Sequence, residues 1–132
     1  MNAPTVDIKD LLIADSSLGL TLGSNLFIGK IPSQPRRTVT LFDSYGFAPH
    51  LALANQGYEY PAIQIQVRDV DYQNAYDVCE EIKTLLHGVN HTTLNGALYT
   101  VIYCSSGPTL LEWDDNGNVL FVMNFNLQRR AV

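Results

Sequence analysis

The stretch IQIQVRDVDYQNAYDVCEEIKTLLHG, from Ile63 to Gly88, decides how the chain folds. Its first half alternates. Ile63, Ile65 and Val67 point one way and Gln64, Gln66 and Arg68 the other, which is the period of a strand with one buried face. Such a strand suits an antiparallel or mixed sheet better than a parallel sheet buried on both sides. The second half changes period: Ala75, Val78, Cys79, Ile82, Leu85 and Leu86 recur at helical spacing, with Asp77, Glu80, Glu81, Lys83 and Thr84 largely opposite. Asp71 stands where an N-cap belongs, and Gly88 where a left-handed stop belongs. The charged corner Arg68-Asp69-Val70-Asp71 therefore reads as a turn and a cap rather than a reactive centre. Asp69 is expected to pair with Arg68 or with a neighbouring subunit.

Working outward, TVDIKDLLIADSS (5–17) carries an apolar helical face with Thr5 as the expected N-cap and Gly19 as the stop. LFIGKI (26–31) and TVTLFDS (38–44) read as strands on either side of a loop bracketed by Pro32 and Pro35, which cannot sit in a central ladder. YGFAPHLALANQGYEYP (45–61) has no sustained period and reads as a long aromatic loop, carrying Tyr45, Phe47, Tyr58 and Tyr60. Asn90-His91 reads as loop. LYTVIYCSS (98–106) is a strand ended by Gly107-Pro108, and Asp115-Asn116-Gly117 is the turn of a hairpin. The last strand sets Phe121, Met123, Phe125 and Leu127 against Val122, Asn124, Asn126 and Gln128. Two strands thus carry amide-rich outer faces, suited to a wall against water or a hydrogen-bonded protein contact. The expected architecture is α+β: a mixed, largely antiparallel sheet of about four to six strands, with two helices packed on one face. Residues 1–132 are expected to form a single domain.

Bulk composition narrows the functional classes. The chain is 46% hydrophobic but only 16% charged, where about a quarter is typical, so part of the surface is expected to be covered by other chains. A net charge of −5 opposes nucleic-acid binding. The basic pairs Arg36-Arg37 and Arg129-Arg130 are too few and too separate for a phosphate track. Cys79 and Cys104 read as buried free thiols of a reducing compartment; MNAPTVDIKD lacks the basic start and apolar core expected of a signal peptide, and no apolar run approaches a membrane span.

Reactive constellations are sparse. His87 and His91 have a metal-binding spacing, but Gly88 interrupts the helix between them and no third ligand is near. Asp114-Asp115 beside Asn116-Gly117 are turn residues, and Ser105-Ser106-Gly107 is no nucleophile elbow. GLTLGSN is neither a phosphate loop nor a dinucleotide fingerprint. These observations point away from an enzyme, a cofactor and a metal. A small hydrolase or nuclease would have to assemble His50, His87 or His91 with Asp114.

Three motifs in order carry a resemblance: IPSQPRRTVTLFDSYG, then YPAIQIQVRDVDYQNAYDVCEEIKTLLHG, then WDDNGNVLFVMNFNLQR. Over residues 30–128 the chain resembles the minor capsid or tail-terminator proteins of long-tailed phages. The resemblance implies a structural virion protein with no catalytic residues, assembled in the cytoplasm of the bacterial host. It implies a ring, commonly hexameric, on the head-proximal end of the tail tube that stops tube polymerisation and joins tail to head. Its partners would be itself, the tail tube protein and the head-tail connector or neck proteins, with DNA passing the lumen unbound and no membrane involved. A head-completion or neck adaptor on the portal side is the alternative in the same class. By analogy, Arg36, Arg37, Tyr45, Phe47, Tyr58, Tyr60, Arg129 and Arg130 are the candidate residues for contact with a neighbouring subunit or the tail tube.

Overall fold

The structure, a computed structural model, describes residues 1–47 and 57–132. The strand at the centre of the argument, Tyr60–Asp69 (β3), does alternate as its sequence demands: Ile63, Ile65 and Val67 are buried while Gln64 and Gln66 remain partly open. Among the described residues it is one of six strands: Leu26–Ile28 (β1), Thr38–Phe47 (β2), β3, Asn90–Leu94 (β4), Ala97–Trp113 (β5) and Val119–Ala131 (β6). They lie in the order β1-β2-β3-β6-β5-β4, with β1 parallel to β2 and every other pair antiparallel. Helices Pro4–Ala14 (α1) and Tyr72–Leu86 (α2) cover one face. The architecture is α+β, a mixed and curled sheet under two helices.

Between the layers, Ile8 and Leu12 of α1 and Ala75, Cys79, Ile82 and Leu86 of α2 meet the inward side chains of β2, β3 and β6. Those of β6 are Val119, Phe121, Met123, Phe125 and Leu127, the odd-numbered half of its alternation. Asp71 caps α2, accepting from the Asn74 N–H at 2.9 Å. Gly88 follows the helix at φ 94°, a left-handed conformation that costs glycine little.

Four expectations need correcting. Thr5 is not the cap of α1, because Pro4 presets the helical φ at the first position and starts the helix earlier. Thr5 instead donates its N–H (3.2 Å) and hydroxyl (2.9 Å) to the Asp43 carboxylate of β2, which serves the helix end from across the fold. Asp69 does not pair with Arg68, since neighbouring strand residues face opposite ways; it binds Arg37 at 3.1 Å. Asn90-His91 is not loop but the start of β4, joined to β5 by a tight turn with Asn95 at φ 50° and Gly96 at φ 81°. Gly107-Pro108 does not end the strand either. Gly107 takes φ 97°, and a Cβ there would stand 2.6 Å from the Val122 carbonyl oxygen, so β5 bulges past it and runs on to Trp113.

Replacing Asp71 with Ala should lower the unfolding free energy by about 1 kcal/mol in a urea titration, with Asp71→Asn recovering most of it. An unchanged midpoint would mean the cap contributes nothing. The thiols offer a second check. Cys79 is fully buried and its pKa is pushed up to about 12, first by burial and then by Glu80, whereas Cys104 is only half-buried. The native protein should therefore react with a thiol reagent at Cys104 alone, and at Cys79 only on unfolding.

Candidate assembly surfaces

The face of the sheet away from the helices is uncharged across its middle. There the even-numbered residues of β3 and β6 meet side by side, because Gln64 pairs in register with Asn124, and Asn126 with Tyr103. The amides bind one another across three strands. Gln66 Nε2 donates to Gln64 Oε1 (2.8 Å), Gln64 Nε2 to Asn124 Oδ1 (3.3 Å), Asn124 Nδ2 to Ser106 Oγ (2.9 Å), and Asn126 Nδ2 to the Tyr103 hydroxyl (3.2 Å). A linked neutral strip of this kind keeps spare donors and acceptors for water or a partner, and brings no cation to attract phosphate.

The eight candidate contact residues separate into three groups. Tyr45 and Phe47 are open, at 103% and 72% exposure. They belong to β2 rather than to a loop, and Phe47 is paired with Tyr60, the first residue of β3. Gly46 between them is required, since a Cβ would overlap the Tyr60 carbonyl oxygen. Tyr58 and Tyr60 are half-buried; the middle of the expected loop, His50 included, lies outside the described residues. Arg37 is also open, its side chain 63% exposed while it holds Asp69.

The other arginines are engaged within the chain. Arg36 reaches the β5–β6 turn, donating to Asn118 Oδ1 at 2.7 Å and the Asn116 carbonyl at 2.9 Å. A charge reversal at Arg36 would thus disturb the turn as well as any contact. Arg129 is 6% exposed and binds Glu59 (3.0 Å), Asp7 (3.5 Å), the Tyr99 hydroxyl (3.1 Å) and the Asn2 carbonyl (2.8 Å). Tyr99 in turn donates to Asp7. Arg129 is a buried hub that fastens α1 to β5 and β6, which its place near the end of the sequence does not announce. Arg130 is half-buried and donates to the Ala131 carbonyl at 3.2 Å.

The residues considered for chemistry are placed apart. His87 Nδ1 accepts the Cys104 N–H (2.9 Å), while His91 is the second residue of β4. Asp114 accepts from the Asn116 and Asn118 N–H groups, both at 2.9 Å, and from Asn118 Nδ2 at 3.1 Å. The Asn118 N–H foremost holds its carboxyl below the usual carboxylate value. Among the described residues no three His, Cys, Asp or Glu side chains gather as a metal site would need, and no helix is long and apolar enough to cross a membrane.

Reading the sequence alone missed one surface. Tyr72 and Tyr76 of α2 and Leu110, Leu111 and Trp113 of β5 are all exposed at one corner. The unbroken apolar pair in TLLEW, which fits no strand alternation, was the signal for it.

The arrangement defines a small α+β protein with a mixed, curled sheet, two helices on one of its faces and apolar side chains exposed at its margins. Residues 12–130 match the model of the bacteriophage tail terminator protein, and the chain belongs to that family. It is therefore a component of the phage tail. The match includes the end of α1 and exceeds the span 30–128 that the motifs alone carried. A solved chain described as "Virion of native gene transfer agent (GTA) particle" has the same fold, with a TM-score of 0.69 at 14% identity over 98% of this chain and 96% of that one. No curated protein matches the sequence.

Replacing Arg129 with Ala leaves the buried Asp7 carboxylate without its cation, with the neutral donors Tyr99 and Asn95 beside it, and should cost about 3–5 kcal/mol of stability by thermal or urea melting. A loss under about 1 kcal/mol would show that the hub is not structural. Burial first, then the bond to Asp7, raise the Tyr99 pKa above its usual 10.0. A group held protonated by the fold adds stability that is complete below its unfolded pKa and is lost as pH rises above it. Stability of the native chain should fall more steeply above pH 10.0 than that of Tyr99→Phe.

Proposed function

We propose that the protein forms a ring on the head-proximal end of the tail tube, ends tube polymerisation there and joins the tail to the head. The observation that carries this reading is membership of the tail terminator family over residues 12–130. The surfaces agree with it in physical terms. A ring needs two different patches on each subunit that meet head to tail. The chain carries exposed apolar and aromatic groups on separate edges of its sheet, at Tyr45 and Phe47 on β2 and at Leu110, Leu111 and Trp113 on β5.

The uncharged amide strip and the net charge of −5 both suit a conduit for DNA. Proteins hold DNA chiefly by neutralising phosphates with Lys and Arg and releasing counterions, and that strip offers no cation. Tyr45, Phe47, Arg36 and Arg37 are the exposed members of the candidate set; Arg36 is held to the β5–β6 turn, which leaves Tyr45, Phe47 and Arg37 available for a neighbouring subunit or the tail tube.

Electron microscopy of lysates from a phage lacking this gene tests the reading. Full heads beside detached, abnormally long tails are the expected result. Detached tails of normal length would contradict termination and point to joining alone. Intact particles would contradict both roles.

A further inference from the structure

We infer that copies of this chain dock head to tail through an apolar corner on one sheet edge and an apolar hollow on the opposite edge. The inference rests on the ring reading and names its contact. The corner is Tyr72, Tyr76, Leu110, Leu111 and Trp113; the hollow is lined by Leu22, Phe27, Ile28, Ile31 and Pro32.

The corner exists because β4 is short. It pairs with β5 only as far as Val101, and His87 Nδ1 takes the Cys104 N–H beyond it. From Ser105 to Trp113 the outer edge of β5 has no strand beside it among the described residues. An open edge carrying apolar side chains is a template for another chain. Here it is also a fixed cluster. Tyr72 stacks on Trp113 at 6.4 Å between ring centroids, and Tyr72 and Tyr76 lie edge-on to Phe121 at 5.0 and 6.0 Å. Trp113 remains 51% exposed, Leu111 51%, Tyr72 46% and Leu110 42%. Rings already held in place lose little freedom on binding, which is why Trp and Tyr anchor so many interfaces.

The hollow, of about 770 Å³, lies along β1 at the other edge. The two features share a row of the sheet. Leu26 pairs with Val39, Val39 with Val67, Val67 with Phe121, and Phe121 with Leu110. Leu26 itself is buried, but its neighbours Phe27 and Ile28 line the hollow, so corner and hollow lie towards opposite edges of the sheet and are two different patches, as a heterologous contact requires. Charge selects a second copy as the occupant. Exposed Lys30 lines the hollow, while exposed Glu112 stands between Leu111 and Trp113, with Asp115 just beyond. Opposite charges at the rim favour this pairing over the corner meeting another corner, where Glu112 would face Glu112.

The test places Leu111→Cys and Ile31→Cys in one full-length chain with Cys104→Ser, assembles it into tails in a phage lacking the native gene, and treats the tails with a short bismaleimide. Cys79 is fully buried and does not compete. A ladder of cross-linked multimers that neither single-cysteine chain gives is the expected result. Monomers alone, in tails of normal length whose ends show a ring, would overturn this contact and leave the ring reading standing. Tails whose ends show no ring would overturn both. Should the variant fail to enter tails, the same cross-linking on the purified chain at rising concentration gives the same readings, with a ladder in support and monomers against. In that purified chain Trp113→Ala should weaken self-association by about tenfold or more. An unchanged association constant would also overturn the contact.

Discussion

The structure depends on the strict alternation of β6, the strand near the middle of the sheet. Its odd-numbered side chains, from Val119 to Leu127, build the core under the helices, and the even-numbered Asn124, Asn126 and Gln128 build the amide strip on the other face. A slip of one residue in its register with β3 would exchange the two faces and put amides into the core. Burial of the five odd-numbered side chains fixes that register. The same series ends on Arg129, which arrives on the helix side and is matched there by Asp7, Tyr99 and Glu59. The alternation thus also determines where α1 can lie.

Function follows from what the two layers leave uncovered. The core occupies one face and the amides bind each other on the second, so the remaining apolar surface is forced to the sheet edges. β1 and β4 cover only part of their neighbours, at opposite ends of the sheet, and each leaves a length of strand without a partner among the described residues. Natural proteins seldom leave such edges apolar unless something covers them. In a member of the tail terminator family, other proteins of the phage tail or head are there to cover them.

Much of the architecture was legible in the residues. The alternating strand at Ile63–Val67, the Asp71 cap, the α2 stripe and the final hairpin obey local rules strongly enough that tertiary context does not override them. The errors have local causes. Asn95-Gly96 is a hairpin signal, but Asn90–Leu94 before it is polar and carries no apolar alternation, so β4 was hidden. Gly107-Pro108 has the composition of a strand end, and only the pairing with β6 shows it to be a bulge. Arg129 read as a contact residue and not as a buried hub because its partners Asp7 and Glu59 are remote in sequence. The exposed corner at Trp113 escaped for a related reason: apolar residues in a strand are expected to be buried, and the short reach of β4 that leaves them open cannot be read from spacing.

The central claim, that this chain ends tube growth by capping it, is tested most directly with purified components. Tail tube protein is polymerised with rising amounts of this chain, and tube lengths are measured by electron microscopy. The account predicts tubes that shorten as the ratio rises, each bearing a ring of this protein at one end. Tubes of unchanged length, with no added density at either end, would contradict it.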